Sequence, residues 1–286
     1  MQRHLLYLPF ALQIFGLMAI SMIVPSLYAL VTEQFFEARM FFYTGLLGVT
    51  FLALIGLARS NQTKRETALD QMLSLALLFV FLPVFLAIPG YSVIRTTSFL
   101  NAYLDMVSAL TTTGFEVFPA SRLSDSVHLW RALVGWMGGA LIWVAAVAIL
   151  APLNLGGFEL TAQHANARRQ ANFISTSERK LFLLRSAQTL MPLYIGLTGT
   201  LWLAFILSGA SGYSGFIFAL SVLSTSGITA YEGVVGLSSG IWAEVLIVIF
   251  FTLALSRVFW APEKTTGFAK GFLRDAELRL AIWITI

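Results

Sequence analysis

Charge is what this sequence has least of. Only 11% of its 286 residues are Asp, Glu, Lys or Arg, against about 25% in an ordinary soluble domain. In their place stand 58% hydrophobic residues and a mean hydropathy of +0.81, the composition of an integral membrane protein. Cysteine is absent, which excludes disulfides, thiolate metal sites and a cysteine nucleophile. Histidine occurs only as His4, His128 and His164, far apart, with no H-E-x-x-H helix and no G-x-S-x-G elbow. Asp105 and Glu116 stand either side of a turn with nothing to pair them. A nucleophile with its base, a carboxylate pair and a metal cluster are all missing, so the chain is expected to be no enzyme and to need no cofactor. A formal charge of +4 and a pI near 9.5 do not indicate nucleic acid, because the basic residues sit in short segments between apolar runs rather than on a basic face or arm.

Those apolar runs set the architecture. A helix needs about twenty apolar residues to cross roughly 30 Å of hydrocarbon, and runs of that length fall at 5–31, 40–58, 69–89, 127–150, 183–208 and 239–260. The first is too long for a signal-peptide core and has no small-residue cleavage site, so it is read as a retained span. Pro25, Pro83 and Pro192 are expected to kink their spans, Pro89-Gly90 to end the third and Ala151-Pro152 to end the fourth. Of the 18 lysines and arginines, only Arg39, Arg95, Arg122 and Arg131 fall on one side of this plan, so the other side, with the N-terminus, is cytoplasmic.

Two shorter apolar runs, 99–111 and 213–224, cannot cross. Each leads into hydroxyl residues, a glycine and a large apolar residue: Thr111-Thr112-Thr113-Gly114-Phe115 and Ser224-Thr225-Ser226-Gly227-Ile228. The glycines are 113 residues apart, and Trp130 and Trp242, which begin the following spans, are 112 apart. A near-constant offset indicates an internal repeat of span, half-depth helix, polar turn, span. Irregular backbone at membrane depth is tolerated only inside protein or beside water. There, uncharged carbonyls replace the hydration shell of a monovalent cation without trapping it, and the negative end of a half-depth helix dipole favours the cation. Gly135 and Gly139 form a G-x-x-x-G in span four, read either as a close-approach surface or as a chance spacing.

The runs S-A-L-T-T-T-G-F at 108–115, L-W-R-A-L-V-G-W-M-G-G at 129–139 and A-V-A-I-L-A-P-L-N-L-G-G-F-E-L at 146–160 resemble the TrkH/KtrB/HKT superfamily of potassium transporters, most closely its TrkH-like bacterial members. The resemblance covers nearly the whole chain. It implies an all-α polytopic membrane protein with two N-terminal helices followed by two helix, pore loop, helix repeats of a four-repeat channel-like fold. The implied divisions are residues 1–67 for the extra helices, 68–160 for repeat one, 161–177 for a cytoplasmic loop, 178–264 for repeat two, and 265–286 for a linker and the start of repeat three, making the sequence a fragment. It further implies K+ uptake across a bacterial inner membrane, K+ held by backbone carbonyls of Thr112, Thr113, Thr225 and Ser226, a homodimer, and a cytoplasmic nucleotide-binding regulatory subunit. Ser226 and Ile228 depart from the second glycine and the aromatic that many relatives carry there. The alternative is a non-conducting scaffold or accessory subunit, since two turns make half a ring.

Three positions keep two readings, and a fourth keeps one. Asp105 and Glu232 either attract cations at the pore entrance or bond locally. Arg131 either tethers a loop or gates. Arg257 is read as an anchor at the cytoplasmic end of span six. The loop with Arg168-Arg169 and Arg179-Lys180 either docks a regulator or lies on anionic lipid.

Overall fold

The computed structural model describes residues 10–58, 68–146, 176–231, 237 and 240–255. Among these residues the fold is all-helical: α1 Phe10–Ser21, α2 Ile23–Val31, α3 Phe35–Ala58, α4 Ala68–Ile94, α5 Phe99–Leu110, α6 Asp125–Ala145, α7 Thr176–Leu207, α8 Gly212–Leu223 and α9 Ile241–Leu255, with one 3-10 turn at Ala120–Arg122. Five stretches are long and apolar enough to cross a membrane: α1 with α2, then α3, α4, α6 and α7. The chain is a multi-pass membrane protein.

The spans begin and end for identifiable reasons. Span one is interrupted at Met22, and Pro25 falls in the first turn of α2, where a missing N–H leaves no intrahelical bond unmade. Pro89-Gly90 does not end the third span, contrary to expectation: α4 runs through both Pro83 and Pro89 to Ile94. Donors from neighbouring helices reach the carbonyl three residues before each proline, Tyr103 Oη to Val80 O at 3.1 Å and Trp130 Nε1 to Leu86 O at 3.0 Å. Such bonds from adjacent helices make a continuous span with two internal prolines tolerable in lipid. The helix stops where Arg95 enters the left-handed region at φ 58°. Pro192 likewise lies inside α7.

The helix at the centre is α6, and it is the least apolar of the five candidate spans. Of its most apolar 18-residue stretch 83% is buried, against 22–39% in the other four. Its surroundings are protein, so it carries the glycines, His128 and Arg131, whereas α3 and α4 present Leu46, Leu47, Leu54, Leu77 and Phe81 outward to the lipid. The N-terminal helices pack on the end of α6 that carries Trp130. Phe41 meets Trp130 edge-on at 6.0 Å between ring centroids, Glu37 accepts from Ser124 Oγ at 2.7 Å and from Ser126 Oγ, and Tyr28 stacks on Tyr213 at 5.1 Å. Tyr213 Oη in turn donates to the Asp125 carbonyl at 2.7 Å, so one end of the bundle is tied across α2, α3, α6 and α8. The expected end of span four at Ala151-Pro152, Glu232, Arg257, the loop through Arg168 and Arg169, and the stretch from 265 onward lie outside the described residues.

Candidate functional site

Two segments 113 residues apart adopt the same local structure. Both short helices have 12 residues, about 18 Å at 1.5 Å per residue, which is little more than half a bilayer core. Each opens on a serine N-cap: Ser98 accepts from Asn101 N–H at 3.3 Å and Ser211 from Ser214 N–H at 3.1 Å, satisfying a donor that a helix start leaves free. Each closes with paired reversed bonds. Thr112 N–H donates to Ala109 O and Thr113 N–H to Ser108 O, while Thr225 N–H donates to Val222 O and Ser226 N–H to Ser221 O, all at 3.0–3.1 Å. This closure requires a left-handed residue just beyond the helix, a place usually taken by glycine. Here threonine fills it twice, Thr112 at φ 55° and Thr225 at φ 53°. A β-branched residue held there carries strain of about 1–3 kcal/mol.

Two residues later Gly114 and Gly227 take φ 71° and 68°, and each chain turns back along its helix. Hydroxyls hold the turn from within. Thr111 Oγ1 donates to Val107 O and lies 2.8 Å from Thr113 Oγ1; Ser224 Oγ donates to Leu220 O and lies 2.9 Å from Ser226 Oγ. Ser108 Oγ donates to Phe115 O at 2.8 Å, tying the returning strand of the first turn to the helix that led into it.

The glycines of α6 bring the two turns together. A methyl group on Gly138 would collide with Leu110 O, and one on Gly139 would lie 3.1 Å from Ser224 Cα. The C-termini of α5 and α8 therefore end against adjacent residues of one helix, and the negative ends of two dipoles converge there. A methyl on Gly114 would collide with Ser226 O, so a carbonyl of the second turn sits directly over the glycine of the first. Gly135 and Gly139 do form a close-approach surface, but what approaches is the second turn: Ser226 Oγ is 3.2 Å and Ile228 Cδ1 3.3 Å from the place of a methyl on Gly135. Ile228 is buried, whereas Phe115, its counterpart, is 64% exposed. Among the described residues no three His, Asp or Glu side chains gather as metal ligands, and the oxygens at the turns are carbonyls and hydroxyls.

Asp105 does not stand open at a pore entrance. It is 3% exposed, with Oδ2 3.0 Å from Nε of the equally buried Arg131. Arg131 therefore tethers α6 to α5. The contact is an ion pair without hydrogen-bond alignment, and Asp105 Oδ1 and Arg131 Nη1 have no hydrogen-bond partner among the described residues. Several contributors were not singled out from sequence: Ser98 and Ser211 as caps, Ser108 as a strand tie, and Gly138 as the floor under Leu110. The 113-residue offset reaches back from the glycines to Ser98 and Ser211, and that signal was available to find the caps.

No family model matches the chain. It is 30% identical over 167 residues to the Trk system potassium uptake protein TrkI of Halomonas elongata, covering 58% of this chain and 30% of that protein. It is 25% identical over 284 residues to TrkH of the same organism, covering 94% of this chain and 56% of that protein. The Escherichia coli K12 TrkH is 23% identical over 279 residues, with 95% and 56% covered. The chain thus spans little more than half the length of the curated relatives it matches most fully. The crystal structure of the potassium transporter TrkH from Vibrio parahaemolyticus shares its fold, with a TM-score of 0.76 at 22% identity over 99% of this chain and 57% of that one.

Proposed function

We propose that this TrkH-like chain supplies two filter turns of a K+ uptake pathway in a bacterial inner membrane. Residues 1–67 form the extra helices, 68–160 the first pore unit and 178–264 the second, with residues 161–177 and 265–286 in the cytoplasm beside the N-terminus. K+ is held by the carbonyls of Thr112 and Thr113 in one turn and of Thr225 and Ser226 in the other. Gly114 and Gly227 permit the turns; Thr111 and Ser224 brace them by hydrogen bonds, Ile228 packs the second, and Phe115 stands at the open side of the first.

The observation that carries this reading is the convergence of two matched helix-to-turn junctions on Gly138 and Gly139, with Ser226 O over Gly114. Dehydration of a monovalent cation needs several weak, fixed oxygens, and left-handed glycines after a half-length helix give the backbone freedom to present them. The relatives' names supply K+ as the ion. Assembly as a homodimer with a nucleotide-binding regulatory subunit on the cytoplasmic loop belongs to the same proposal, as does a vestibule role for Glu232. The test is K+-limited growth of a K+-requiring strain expressing the gene. Growth is expected with the native sequence and lost when Gly114 and Gly227 are replaced by leucine at unchanged membrane levels. Growth that survives both replacements would remove the filter assignment.

A further inference from the structure

The two junctions differ at one buried point. On α5, Asp105 and Ser108 lie one turn apart on the same face. Ser108 Oγ holds Phe115 O of the returning strand at 2.8 Å. Arg131 fixes the Asp105 carboxylate from α6 at 3.0 Å. The helix face that fastens the first returning strand through Ser108 is therefore itself clamped to α6, one turn earlier, by the Asp105–Arg131 pair. At the matching positions of the second unit, 113 residues on from Asp105 and, by the tryptophan spacing, 112 on from Arg131, stand Phe218 and Ala243, both buried in one apolar cluster. The same architecture is built there without charge.

Burying an ion pair is not required for stability, since well-packed apolar residues commonly serve as well. An ionisable pair kept inside a membrane domain points instead to a task for the charges. Resting on the transport reading above, we propose that Asp105 and Arg131 are positioning residues that set the first returning strand, and through it the ion discrimination at Gly114. Neutralisation is the second part of their role: Arg131 alone would place an uncompensated positive charge beside a cation path, and Asp105 cancels it.

The experiment uses the complete protein encoded by the gene, with two readouts. One is the ratio of Rb+ to Na+ flux in proteoliposomes. The other needs no flux: these 286 residues have no cysteine, so with any cysteine encoded elsewhere in the gene replaced by serine, Glu116→Cys, at an exposed position after the first turn, reports strand position by its labelling rate with a maleimide in detergent. Asp105→Asn leaves Arg131 unpaired and is expected to lower the amount of folded protein several-fold. Asp105→Phe with Arg131→Ala, the second unit's own solution, is expected to restore that amount to within about twofold of native. It should nonetheless reduce Rb+ over Na+ discrimination about tenfold, within the roughly hundredfold that misplacing a positioned group by about 1 Å can cost, and change the labelling rate of the introduced thiol. Asp105→Glu, which keeps the charge but moves it by one methylene, is expected to change labelling and discrimination in the same sense, and decides the matter if the double variant does not fold. Native discrimination together with native labelling in either folded variant would overturn the proposal. Absence of Rb+ flux in the native protein would defeat the transport reading instead, and labelling would still decide whether the pair sets the strand.

Discussion

Single atoms decide whether the turns form. Gly114 meets two constraints at once: its φ of 71° lies in the left-handed region, and a methyl group would press on Ser226 O. Gly199 in α7 is an internal control, because it is helical and a methyl there would meet nothing within 4 Å. Gly199→Ala is expected to leave uptake unchanged and to stabilise the helix by about 1 kcal/mol from propensity. Gly114→Ala should lower the rate of Rb+ uptake at least tenfold at equal protein levels. Parallel Rb+ uptake and thermal-melt measurements on the two variants check both expectations. At this scale the sequence was informative wherever chemistry is unusual for its setting: a glycine after three hydroxyls among apolar residues is visible as text. Asp105 and Arg131 were visible too, but not as partners, because 26 positions of chain separate them and only the packing of α5 on α6 brings the charges within 3.0 Å.

Among the described membrane-length helices, four turn apolar faces outward to lipid and α6 is mostly enclosed by protein. Helix–helix contact in lipid relies on close packing more than on hydrophobic burial, and α6 obtains it by omitting side chains. Gly138 takes the end of α5, while Gly135 and Gly139 take the second turn. Trp136 on the same helix donates to Thr198 Oγ1 at 3.0 Å and stacks on Tyr194 at 5.0 Å, which brings α7 in from the side. Gly138→Ala must displace Leu110 O, a backbone atom at a helix end that has little room to yield. Its melting temperature should fall by several degrees, consistent with an overpacking penalty of about 1–3 kcal/mol, whereas Gly196→Ala, which like Gly199 is helical and meets nothing within 4 Å, should not lower it. Differential scanning fluorimetry in detergent measures both. Span lengths were legible because hydropathy at a twenty-residue scale is a direct physical requirement of the bilayer. The end of α4 was not: Pro89-Gly90 reads locally as a terminator, but Trp130, forty-one residues further along the chain, bonds the helix at Leu86 O, and no local pattern encodes that.

At the scale of the whole molecule, the least apolar span is the most buried, and α3 and α4 turn large apolar side chains outward, the arrangement of a protein whose solvent is lipid. The two matched junctions do not share one environment. Trp130 is fully buried against α4 while Trp242, its counterpart, is 71% exposed, and Ile228 is covered while Phe115 is open. The second turn and its helix pack on the first through α6. The repeat was readable as an offset, but this difference between its two copies was not, because offset says nothing of neighbours. The central claim is that backbone oxygens of the two turns hold the ion. Anomalous diffraction from crystals of the gene's complete product grown in Rb+ tests it most directly. A peak in contact with the carbonyls of Thr112, Thr113, Thr225 and Ser226 is predicted; Rb+ bound at carboxylate side chains elsewhere, with none beside either turn, would contradict the account.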